Sequence, residues 1–75
     1  MSQEIWKIAR CGTEYVISVD RNRREIYIFE FSDRMNAGGW TDNAFLRENP
    51  QASDEDIISY VQRRYWPNLV NIAPS

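Results

Sequence analysis

Along residues 13–20 the chain alternates in character: Tyr15, Ile17 and Val19 fall on one side, and Glu14, Ser18 and Asp20 fall on the other, with Val16 the one apolar residue among them. A period of two is that of a strand with one buried face. Residues 25–32 keep the same period but are apolar on both sides, Ile26 and Ile28 against Tyr27, Phe29 and Phe31. These β-branched and aromatic types suit a pleated surface. Arg21, Asn22, Arg23 and Arg24 separate the two segments. That polar run cannot extend a buried strand, and asparagine tolerates the left-handed backbone of a turn. Placing Asp20 opposite Glu25 sets Val19 against Ile26 and Ile17 against Ile28. One face of the hairpin is then aliphatic (Tyr15, Ile17, Val19, Ile26, Ile28). The other is Val16, Tyr27, Phe29 and Phe31.

A first strand is expected over residues 4–11, ended by Gly12. Trp6 and Ile8 share one side of it and Ile5, Ala9 and Cys11 the other, and the length of the turn at Gly12 decides which side faces the core. Residues 33–39, with Asn36, Gly38 and Gly39, read as a flexible loop. Thr41 is expected to cap a short helix over 42–48 that stops before Pro50. The main helix is expected over 54–66. Ser53 suits its N-cap and Asp56 lies three residues on. Asp54, Glu55 and Asp56 favour the positive helix start, and Arg63 and Arg64 the negative end. Ile57, Tyr60, Val61 and Tyr65 form one apolar stripe, and Pro67 forbids continuation. An extended tail follows, with residues 69–75 carrying Leu69, Val70 and Ile72.

These elements make one α+β domain spanning residues 1–75: a three-stranded antiparallel meander, a short helix, and a C-terminal helix packed on one sheet face. One helix of about 13 residues covers only one face of such a sheet. The aliphatic face is the smoother seat for Ile57 and Val61. Val16, Tyr27, Phe29 and Phe31 are left for the tail, for the loop carrying Trp40, or for a second copy in a symmetric homodimer.

Composition narrows the chemistry. The chain has 75 residues, 43% hydrophobic, 13% aromatic and 27% charged, which is too apolar for a disordered segment. There is no histidine and one cysteine, so intramolecular disulfides, four-thiolate zinc sites and imidazole chemistry are all absent. The first ten residues do not read as a signal peptide, and no apolar run approaches the ~20 residues of a membrane span. A cytoplasmic protein with no membrane partner and no cofactor is expected. The net charge of -2 suits neither a dedicated nucleic-acid binder nor a mimic of one.

Each remaining chemical candidate has an ordinary counterpart. Asp54, Glu55 and Asp56 lack the spaced ligands and glycine of a calcium loop, and capping explains them. Asp33 and Asp42 flank Gly38-Gly39 as an acid–base pair of no special spacing. Cys11, without a histidine base, is expected to be a small packing residue. Arg21, Arg23 and Arg24 form a basic patch fit for phosphates, or a solvated turn. Tyr27, Phe29 and Phe31 have the spacing of a base-stacking platform, but also of interface anchors. Trp40 is an anchor or a plug for the core.

The expected function is therefore non-catalytic: a small interaction or regulatory protein that occupies another protein's surface through Tyr27, Phe29, Phe31 and Trp40. Small accessory proteins of mobile elements share this size and composition, an analogy of profile only. The rival reading is a nucleic-acid-binding regulator that uses Arg21, Arg23 and Arg24.

Overall fold

The computed structural model describes residues 1–32 and 35–69, the side chains of 35–37 and 68 excepted. Four strands run in chain order, β1 (Gln3–Arg10), β2 (Thr13–Asp20), β3 (Glu25–Ser32) and β4 (Met35–Asp42), followed by helices α1 (Phe45–Glu48) and α2 (Asp54–Tyr65) and a 3-10 turn over Pro67–Leu69. The sheet is an antiparallel meander of order β1-β2-β3-β4. The architecture is α+β, as the sequence pattern requires.

The central hairpin has the expected register, with Asp20 opposite Glu25, Val19 opposite Ile26 and Ile17 opposite Ile28. At its tip the Asp20 carboxylate accepts the Asn22 and Arg23 amides at 3.1 and 3.2 Å, and Arg24 takes the left-handed conformation at φ 56°. The β1–β2 turn has two central residues, Cys11 and Gly12, both at positive φ (52° and 81°). Such turns match the right-handed twist of the strands. With that turn length Trp6 pairs with Ile17 and Ile8 with Tyr15, so Trp6 and Ile8 take the core side. Register shifts between Glu4 and Trp6, a bulge that takes up Ile5. Cys11 is exposed in this turn, which corrects its expected packing role.

The expectation of three strands is corrected to four. Gly38, Gly39 and Trp40 belong to β4, not to a loop, and Asp33 lies outside the described residues. Gly39 sits opposite Phe29, and a Cβ built on it would come 3.3 Å from the Phe29 ring. A Cβ on Gly38 would meet the Trp40 ring at 3.3 Å. An aromatic lying across a strand glycine restores the side-chain cover that the glycine lacks. That cover offsets glycine's poor strand propensity.

The first helix is also shorter than expected. Thr41 and Asp42 end β4, and α1 begins at Phe45. The Asp42 carboxylate accepts the Ala44 and Phe45 amides, both at 3.1 Å, so the carboxylate and not the Thr41 hydroxyl caps that turn. In α2 the expected capping box is present: Ser53 accepts the Asp56 amide, and Asp56 accepts the Ser53 amide. The helix ends at Tyr65 with Trp66 as its C-cap. Leu69 is buried in the core and part of a 3-10 turn, so the chain is not extended there; the rest of the expected tail, 70–75, lies outside the described residues.

The core lies between one sheet face and the helices. Trp6, Ile8, Ile17, Val19, Ile26 and Ile28 from the strands meet Leu46, Ala52, Ile57, Val61, Trp66 and Leu69. Ile17, Ile26, Ile28, Ile57 and Val61 are fully buried, each worth about 1.5–3 kcal/mol of transfer free energy. Trp66 closes one end, its ring 6.0 Å from Trp6 and 5.0 Å from Tyr15, while its Nε1 donates to Glu30 at 3.1 Å.

Candidate interaction surface

Side chains on the second sheet face follow from the register. Three rows cross it: Glu4, Ser18, Tyr27 and Thr41; then Lys7, Val16, Phe29 and Gly39; then Ala9, Glu14 and Phe31. Val16 is buried at its centre, and Tyr27, Phe29 and Phe31 are half-buried around it. The Phe29 and Phe31 rings lie 5.8 Å apart, tilted at 31°. The helices pack on the other face, and among the described residues none lies over this one. Two polar pairs lie at its borders. Lys7 reaches Glu14 at 3.6 Å, and the Tyr27 hydroxyl donates to Glu25 at 2.5 Å. That bond to the carboxylate pushes the Tyr27 phenol up from its ordinary pKa. The result is an aromatic centre with a polar border, the anatomy of a protein contact patch.

Trp40 does not join this group. It pairs with Ile28 on the helix side of the sheet, where its ring lies 6.3 Å from Tyr65 and it remains 44% exposed. The four residues expected to form one surface are therefore split across the two faces of β3 and β4.

The basic hairpin tip is also divided. Arg21 donates to the Ala52 carbonyl at 2.8 Å and to Asp54 at 2.7 Å, which ties the tip to the start of α2. Arg23 is 4.0 Å from Glu25. Arg24 is exposed. Two of the three guanidiniums, those of Arg21 and Arg23, thus already face carboxylates of this chain.

One polar constellation escaped the sequence reading. Asp42, only 7% exposed, accepts from Tyr60 at 2.5 Å and Tyr65 at 2.9 Å through one oxygen, and from two backbone amides through the other. Burial pushes its carboxyl up, but the hydrogen bonds from Tyr60, the Phe45 amide, Tyr65 and the Ala44 amide outweigh it, so the group titrates below its ordinary value. Burial, then the bond to Asp42, pushes the Tyr60 phenol up to about 12 and raises that of Tyr65. With four donors on one carboxylate, the cluster is a strut between β4, α1 and α2. The clue in the sequence was Tyr60 and Tyr65 on the apolar stripe, since buried phenols need acceptors.

A groove of about 970 Å³ runs between residues 49–52 and the outer flank of α2. Three of its polar side chains are engaged: Asp56 in the capping box, Tyr60 on Asp42, and Asn49 on the Phe45 carbonyl. Among the described residues no group of three acids and thiols is placed to hold a metal ion, and no helix is long and apolar enough to cross a membrane. No protein-family model, curated protein or solved structure matches this chain.

Proposed function

We propose that this protein works by binding another protein through the open face of its sheet, without catalysis. The supporting observation is the unequal treatment of the two faces. Both carry apolar side chains, but the helices cover only the aliphatic one, and Tyr27, Phe29 and Phe31 stand half-buried on the other, bordered by the Tyr27–Glu25 and Lys7–Glu14 pairs. Aromatic residues around a desolvated centre are where binding energy concentrates in protein interfaces. The engagement of Arg21 with Ala52 and Asp54 removes one of the three cations on which the nucleic-acid reading depends.

The test is a comparison of proteins captured by the wild type and by Phe31→Glu, each first shown by circular dichroism to be folded. A stoichiometric partner retained by the wild type and lost with Phe31→Glu is the expected result. Capture of the same partner by both proteins would place the contact elsewhere.

A further inference from the structure

The groove between residues 49–52 and α2 differs in character from the open sheet face. Two guanidiniums, Arg63 and Arg64, line it against one carboxylate, Asp56, which already accepts the Ser53 amide. A chain of net charge -2 thus carries a groove whose lining is net positive. Elsewhere Arg21 and Lys7 have acids of this chain beside them, Asp54 and Glu14. Arg64 lies 5.8 Å over the Tyr65 ring. Arg63 has nothing comparable: among the described residues its side chain makes no hydrogen bond, ion pair or ring contact, and the same holds for Gln51 and Ser59. The rest of the wall is apolar. The Phe45 and Tyr60 rings stack 4.1 Å apart at 17°, next to Pro50 in the lining, and the bond from Tyr60 to Asp42 fixes that wall in place.

We propose that this groove is a binding site for a small, flat organic anion, its apolar body against Phe45, Tyr60 and Pro50 and its carboxylate on the Arg63 guanidinium. Two like charges in one groove repel, and an anion beside them relieves that repulsion while it gains charge-assisted hydrogen bonds. The guanidinium presents a rigid fork of donors that matches a carboxylate, and Arg63 gives up no bond within the chain to offer it. A wall already held in place costs the ligand little ordering. The groove's 970 Å³ lies at the upper end of the ~300–1,000 Å³ of ordinary small-molecule sites. Gln51 and Ser59 add uncommitted polar groups that could orient the ligand. The site is separate from the open face, since α2 packs on the opposite side of the sheet, and the two readings stand or fall independently.

Titration of the whole chain with cinnamate, neutral cinnamamide and cationic cinnamylammonium, followed by amide shifts in nuclear magnetic resonance, tests this. Saturable shifts confined to residues 45–52 and 56–64 are expected with cinnamate, at a Kd of about 1 mM or below. Cinnamamide is expected to bind at least about fivefold more weakly, and cinnamylammonium more weakly still. Arg63→Gln, at an exposed position, should bring cinnamate to the level of cinnamamide, whereas Arg24→Gln on the hairpin tip should change nothing. The absence of saturable shifts with cinnamate, equal binding of the three probes, or cinnamate binding unchanged by Arg63→Gln overturns the proposal. Shifts at the same residues on raising the protein concentration alone would make a second copy the occupant and overturn it as well.

Discussion

Asp42 accepts four hydrogen bonds, from two backbone amides and two phenols. Replacing it with alanine leaves two phenols and two amides without their acceptor in a part-buried setting, and a loss of about 3 kcal/mol is expected, read as a fall in Tm of more than about 10 °C. Its pH signature has a definite sign. A carboxyl depressed on folding contributes stability that is complete above its ordinary pKa of 3.8 and is lost as pH falls through the lower folded value. Asp20, lowered chiefly by the Arg23 amide, acts in the same direction. Tyr60 gives the opposite limb: its raised pKa means a contribution complete below 10.0 and lost as pH climbs through about 12. Denaturation against pH should show both limbs, and the acid limb should flatten in Asp42→Asn. At Cys11, asparagine suits the left-handed backbone better, so Cys11→Asn should raise stability by a few tenths of a kcal/mol, as measured by urea unfolding.

Elements differed in how openly the chain announced them. Strands β2 and β3 were legible because alternation and a polar tip leave a single register that keeps the aliphatic residues together. Helix α2 was legible because Ser53, Asp56, the terminal charges and the apolar stripe agree with one another. Ser53→Ala should therefore cost about 1 kcal/mol, lowering Tm by about 4–8 °C in calorimetry. Strand β4 was not legible, because its glycines read as breakers in isolation. What makes them strand residues is Phe29 from the neighbouring strand and Trp40 two positions on, and no local pattern in the segment shows the first of these contacts. Helix α1 was misplaced for a related reason: Asp42 serves as both strand end and cap, and its role depends on amides that only the fold brings to it. The β1 register rested on whether Cys11 accepts a positive φ, which its side chain does not advertise.

Across the whole molecule, the main helix seats on the aliphatic face, and none of the helices lies on the aromatic one. The sequence showed Tyr27, Phe29 and Phe31 as a group because they share a strand and a parity. It could not place Trp40, whose face depends on a strand read as a loop. The same geometry separates surface from core in a way that stability measures. Ile28→Glu, which would bury a charge at a position of 0% exposure, should unfold the chain, whereas Phe31→Glu should leave a cooperative melt within a few degrees of the wild type. The most direct test of the central claim is the affinity of the captured partner, measured by calorimetry, for Phe29→Ala, Phe31→Ala and Arg63→Ala. Losses of about 30-fold or more for the two phenylalanine variants and less than about threefold for Arg63→Ala are predicted, in line with aromatic anchors at a contact centre. A large loss for Arg63→Ala with both phenylalanine variants unaffected would contradict the account and move the interaction to the outer flank of α2.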